Sequence, residues 1–127
     1  GIQRNVVFHG SVLDVRPYLW SSDIFLATSP YTNYPSQALL EAMSANLAII
    51  ATNVGETPLL VEHLKNGILI PSKNPKELAK AVISLYENED LMKKISAEAR
   101  KTVEKYDIEQ FSEKYINLLH SVIHNVN

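Results

Sequence analysis

Short, wholly apolar runs separated by stretches of helical spacing constrain this chain more than any other feature. Val6-Val7-Phe8, Ile24-Phe25-Leu26-Ala27, Leu47 to Thr52 and Ile68-Leu69-Ile70 show almost no polar alternation. A strand with one wet face alternates with a period of two, whereas a parallel strand covered on both faces by crossover helices reads as a continuous apolar run. Between the runs lie helical segments around Asp14 to Ser22, Pro35 to Ala45 and Pro58 to His63. Strand and helix in alternation predict an α/β fold, a Rossmann-like parallel sheet of about four strands with helices on both faces.

After residue 72 the pattern becomes wholly helical. Leu78, Val82 and Leu85 form one stripe, Leu91, Ile95, Ala99 and Val103 a second, and Phe111, Tyr115, Leu118, Val122 and Val126 a third. Spacings of three and four put each set on one helix face, so a helical C-terminal cap is expected. Asn74-Pro75-Lys76-Glu77 offers a capping side chain, a proline at the first helical position and a following Glu, and Asp107-Ile108-Glu109-Gln110 resembles it. Thr57-Pro58 marks a short middle helix. At 127 residues the expectation is one domain, residues 1–127, with an α/β part over 1–72 and helices over 73–127.

Composition narrows the function classes. A net charge of −2 leaves no basic footprint for nucleic acid, and no apolar run approaches the roughly 20 residues of a membrane-spanning helix. Without cysteine there is no disulfide framework, thiol nucleophile or thiolate metal site, which fits a cytoplasmic location. The chain opens on Gly1 without a signal segment, and we read it as a piece of a longer protein.

The stretch that points to chemistry runs from Ser29 to Met43, leaving a buried strand at its C-terminal end and entering a helix. Ligands of open α/β sheets bind at that edge. Pro35, near the first helical position, leaves the N–H groups of Ser36, Gln37 and Ala38 at the helix start, where they and the macrodipole favour a phosphate. Glu41 is the one carboxylate on this helix, set among Ala38, Leu39, Leu40, Ala42 and Met43. A ribose diol would donate two hydroxyls to it while a diphosphate sat at the helix start. A solvated Glu41, or one paired with a nearby backbone amide, fits the spacing equally well.

The same run resembles the donor-site region of the family-4 (group 1) retaining glycosyltransferases, in which a helix carrying Leu-Glu-Ala-Met closes the site. Flanking blocks match in the same order: Asn5-Val6-Val7-Phe8-His9-Gly10, Ser22-Asp23-Ile24-Phe25, Ala48 to Gly55, and Asn66-Gly67-Ile68-Leu69-Ile70-Pro71. The resemblance implies part of the C-terminal, donor-binding domain of a GT-B fold. It implies a nucleoside-diphosphate sugar as substrate, a hydroxyl acceptor, net retention and no cofactor or bound metal. Glu41 would hold the ribose, amides near Ser36 and Gln37 would meet the diphosphate or sugar, and His9 and Gly10 would lie beside the base. As bare residues, His9 is equally a partly exposed loop histidine and Gly10 a tight turn. The family's acceptor-binding N-terminal domain would be a further partner, and the whole enzyme would associate peripherally with the inner face of the membrane.

Two departures stand out. The family's first glutamate lies eight positions before the second, which here falls on Asn33, and a shifted alignment puts Thr32 there instead. Either side chain can hydrogen-bond a sugar hydroxyl, but neither carries a negative charge. The family's donor domain also begins with strand-helix units bearing an Arg and a Lys for the departing diphosphate, and no block of this sequence matches them. Asn46 stands where the family has glycine after the site helix, a residue that also takes a left-handed cap.

Other constellations offer less. His120 and His124 are spaced i, i+4, and with His9 and His63 they invite a metal reading, but no zinc motif accompanies them. Tyr18 and Trp20 are expected as core residues of the first helix, while Tyr31 stays open as a stacking side chain on the site loop. The last helix is expected to expose part of its apolar stripe. A non-catalytic binding module that kept the fold without the acid is the alternative reading, and a flavodoxin-like domain with Gly10-Ser11-Val12-Leu13 as its loop is a third.

Overall fold

Ala48–Thr52, one of the expected strands, forms the centre of the sheet. In the computed structural model, which describes residues 1–32 and 36–124, every residue of this strand is buried. Among the described residues the sheet has three parallel strands in sequence order, β1 (Ile24–Ala27), β2 (Ala48–Thr52) and β3 (Ile68–Ile70). Successive side chains of β2 point to opposite faces. Ile49 and Ala51 join one core with Leu39, Ala42, Met43, Leu60 and Val61, and Ala48 and Ile50 join the other with Ile68, Ile70, Ala81 and Leu85.

Those two cores are closed by the helices α1 (Arg16–Trp20), α2 (Gln37–Ser44), α3 (Thr57–Leu60), α4 (Pro75–Glu87), α5 (Glu89–Glu104) and α6 (Ile108–His124). α2 and α3 cover one face and α4 the other, while α5 reaches both, placing Ile95 in the second core and Ala99 and Val103 in the first. Helices on both faces match the reading of the runs as parallel strands. The caps follow their residue types. Asn74 accepts from the Glu77 amide at 3.2 Å, and Asn88, between α4 and α5, accepts from Leu91 at 2.9 Å. The Asp107 carboxylate accepts from Glu109 at 2.7 Å.

The expected first strand is the correction. Val6-Val7-Phe8 is not in the sheet but follows a single 3-10 turn at Gln3–Asn5, with Val7 72% and Phe8 93% exposed. An apolar run becomes a strand only beside a neighbour that receives its backbone groups. Among the described residues β1 pairs with β2 alone. Of the third helical stripe, Tyr115 and Leu118 on α6 are exposed, as expected; the side chains of Phe111 and Val122, and Val126 itself, lie outside the described residues.

Asn46 has φ 63°, the left-handed conformation expected at that cap. The Leu47 amide donates to Ala42 at 3.1 Å and the Asn46 amide to Met43 at 3.0 Å, the paired bonds of a Schellman ending. The Arg100 guanidinium on α5 donates to the Ser44 carbonyl at 3.1 Å, adding a cation to the same helix end. Asn46→Ala is expected to lower stability by about 1 kcal/mol and Asn46→Gly to leave it unchanged or raise it, read from urea midpoints. Equal midpoints for both would show that the turn relaxes out of this conformation.

Candidate functional site

α2 begins where β1's connection ends, so its first turn stands at the C-terminal edge of the sheet. Ser36 is the N-cap: its hydroxyl accepts from the Leu39 amide at 3.4 Å and its carbonyl from Leu39 and Leu40 at 3.1 Å each. That accounts for the third and fourth amides of the helix. The first two, Gln37 and Ala38, belong to the turn that a helix cannot satisfy from within. Pro35, expected at the helix start, lies outside the described residues, as does Asn33.

Two cavities flank this turn. One of about 220 Å³ opens between the ends of β1 and β2 and the start of α2, with Ser29, Tyr31, Ser36, Ala38, Thr52 and Thr57 around an apolar floor of Phe25, Ala27, Leu39 and Val54. The other, about 440 Å³, lies between α1 and α2 and is lined by Val15, Arg16, Leu19, Trp20, Gln37, Leu40, Glu41, Ser44 and Ala45. Ser36 and Ala38 face the smaller space and Gln37 the larger, so the first turn of α2 is the partition between them.

Glu41 is half-buried, and its Oε1 accepts from Gln37 Nε2 at 3.1 Å. Its polar partner is therefore the side-chain amide one turn earlier rather than a backbone amide, and both groups line the larger cavity. On the facing side Arg16 makes a forked pair with Asp14, at 2.9 and 2.8 Å. The hydrogen bond from the Arg16 side chain holds the Asp14 carboxyl below the usual carboxylate range, and the same bond raises the guanidinium. Both are exposed, so this pair adds little to stability.

The remaining expected residues are arranged less directly. His9 packs edge-on against the Tyr18 ring of α1, with centroids 4.5 Å apart, and Gly10 follows at φ 66°; neither lines the two cavities. Thr32 sits against the loop after β2, its hydroxyl occupying the space that a Cβ on Gly55 would need. Tyr31 is exposed with the Lys73 ammonium 5.5 Å from its ring centre. Tyr18 and Trp20 are not core residues: α1 is five residues long and packs only Leu19 against the core, leaving Trp20 70% exposed at the larger cavity. Arg16, Thr52 and Thr57 were missed from sequence, because only tertiary contact places them here. His63, from the metal reading, has its Nδ1 accepting from the Leu69 amide at 3.1 Å.

Comparison with known proteins places this architecture. Residues 1–88 match the family model of group 1 glycosyl transferases, and the chain belongs to that family. It is 29% identical over 122 residues to the poly(ribitol-phosphate) alpha-N-acetylglucosaminyltransferase of Staphylococcus aureus, covering 94% of this chain and 24% of that protein. It is 30% identical over 126 residues to the N-acetyl-alpha-D-glucosaminyl L-malate synthase of Bacillus anthracis, covering 98% and 32%. The chain thus spans about a quarter to a third of the length of these relatives. Among solved structures, Anabaena Alr3699/HepE in complex with UDP and glucose superposes with a TM-score of 0.87 at 23% identity, over 94% of this chain and 33% of that one, which is a likeness of fold. No helix among the described residues is long and apolar enough to cross a membrane.

Proposed function

We propose that this chain is the donor-binding part of a glycosyltransferase that moves a sugar from a nucleoside diphosphate to a hydroxyl acceptor with retention. One observation carries the reading: the first turn of α2 separates two cavities of unequal size, the arrangement a nucleoside, a diphosphate and a sugar would occupy in that order. The nucleoside fits the larger space, where Glu41 would exchange its bond to Gln37 for the ribose diol and Trp20 offers a face for the base. The diphosphate would lie over the amides of Gln37 and Ala38, and the sugar would enter the smaller cavity among the hydroxyls of Ser29, Ser36 and Thr57.

In this arrangement the bond from the anomeric carbon to the diphosphate breaks, the leaving phosphate oxygen takes the electron pair, and the acceptor oxygen bonds to the same face of the sugar while passing its proton to that leaving phosphate. Charge grows on the leaving diphosphate, and the fixed amides and dipole of α2 are already aimed there. Among the described residues that line the smaller cavity there is no carboxylate, so these offer the departing sugar hydroxyl contacts rather than a charged nucleophile. Thr32 or Asn33 would touch the sugar in place of the family's acid. His9 and Gly10 would approach the base only if their loop moved towards the larger cavity.

The acceptor site would belong to another domain of the same protein, since the relatives are three to four times longer. The names of two relatives both carry N-acetylglucosamine but different acceptors, a ribitol-phosphate polymer and malate. That supports an N-acetylhexosamine donor and leaves the acceptor to the rest of the protein. The absence of an acid beside the sugar favours, as second reading, a module that binds the nucleotide sugar without turning it over.

Ligand-observed NMR with UDP, GDP, ADP and their sugar conjugates tests the proposal. Saturation transfer to ribose and base is expected for one nucleotide, with binding weakened at least about tenfold by Glu41→Ala, the scale of a charged hydrogen bond. An unchanged dissociation constant in Glu41→Ala would remove this carboxylate from the site. Turnover by the full-length protein separates the two readings.

A further inference from the structure

The loop Ser29–Thr32 contributes Ser29 and Tyr31 to the wall of the smaller cavity and leads towards the site helix. Three successive carbonyls of this loop each accept from a hydroxyl. Thr52 donates to Ser29 at 2.6 Å, Ser72 to Pro30 at 3.3 Å, and Ser29 itself to Tyr31 at 2.8 Å. Two of the three donors come from the ends of the other strands: Thr52 is the last residue of β2, and Ser72 follows β3 by two positions. Thr52 is 4% exposed, with the Ala27 carbonyl of β1 also 3.3 Å from its hydroxyl. Beyond them Thr32 fills the space left by Gly55, which has φ 51°, so the loop after β2 is keyed to the loop after β1.

We infer that Thr52 and Ser72 are positioning residues that hold the Ser29–Thr32 wall in the shape that receives the sugar of the donor. A buried hydroxyl at the end of an otherwise apolar strand requires an acceptor, and here the acceptor is the loop carbonyl rather than the strand alone. Four residues without regular structure are thereby tied to all three strands before any ligand arrives. Neither hydroxyl bonds the ligand in this scheme; they act through the position of Tyr31 and Thr32. The inference rests on the donor reading above, because it assigns the smaller cavity to the sugar.

The test compares each free nucleoside diphosphate with its sugar conjugate on the 127-residue chain and on Thr52→Val, Thr52→Ser and Ser72→Ala. The ratio of the two dissociation constants isolates what the sugar adds. Thr52→Val should reduce that ratio by about fivefold, the worth of one net hydrogen bond, while affinity for the free diphosphate stays unchanged. Thr52→Ser should restore the ratio, and Ser72→Ala, at a half-buried surface position that does not threaten the fold, should shift it in the same direction. Amide relaxation of Thr28, Ser29, Tyr31 and Thr32 should show increased motion in Thr52→Val and not in Thr52→Ser. A ratio that survives both Thr52→Val and Ser72→Ala would overturn the positioning role and leave the donor reading standing. A wild-type chain that binds every diphosphate and its conjugate equally would overturn the sugar assignment, and one that binds no nucleotide would overturn both.

Discussion

Asn66→Ala is expected to destabilise the chain by about 3 kcal/mol, the largest loss we anticipate from one surface-distant polar side chain. Asn66 is 4% exposed and uses both ends of its amide. Its oxygen accepts from the Glu62 amide at 2.6 Å, and its nitrogen donates to the Leu60 carbonyl at 3.0 Å and to the Thr102 hydroxyl at 2.9 Å. Thr102 in turn donates to the Glu98 carbonyl at 2.8 Å, so a single amide connects the end of α3, the turn before β3 and the last turn of α5. Truncation removes three bonds and takes from the buried Leu60 carbonyl the donor that Asn66 supplies, which costs more than that bond itself gains. Urea unfolding followed by circular dichroism would show the loss as a lower midpoint at unchanged slope. Thr102→Val should cost about 1 kcal/mol alone and little more in the Asn66→Ala background, since the two share one network. Additive losses would mean that the network is not a unit.

Asn66 also shows where sequence reading stops. Asn66-Gly67 belongs to a block matched by resemblance, and Asn66 lies in the turn before β3, where residue types that favour turns act locally. That the same amide reaches Thr102, 36 residues away, follows from packing that no local pattern encodes. The same division runs through the fold. β2, β3, the Asn74 cap and the left-handed Asn46 are legible because burial on both faces, a capping oxygen and a tolerant backbone each leave a mark at the residue concerned. Val6-Val7-Phe8 carries the same chemistry as β3 yet forms no strand, since pairing needs a neighbour and composition names none. The site divides likewise. Glu41 stands out as a carboxylate on an apolar helix, whereas Thr52 looks like any strand-ending threonine until the Ser29 carbonyl is beside it. Trp20 was misread because a large aromatic on a helix is usually buried, and this helix is too short to bury it.

Ala38→Glu is expected to move stability and binding in opposite directions. Ala38 is exposed at the second position of α2 and lines the smaller cavity, with the Ser36 cap leaving its amide in the open first turn. A carboxylate there complements the helix dipole, so the folded chain should gain about 0.5 kcal/mol at low salt. The same charge would stand within about 5 Å of a diphosphate laid over the first turn, and even at the effective dielectric of a protein surface the repulsion weakens binding by at least about a hundredfold. Ala38→Gln, similar in size and uncharged, should retain most of the affinity, and added salt should recover part of the loss in Ala38→Glu but not in a variant that blocks the cavity by bulk. Thermal unfolding and nucleotide titration on the same three proteins give the answer. A mutation that merely damaged the fold would lower both quantities, so increased stability with lost binding identifies the start of α2 as the anion site. Affinity that survives the added charge would place the diphosphate elsewhere on the sheet edge.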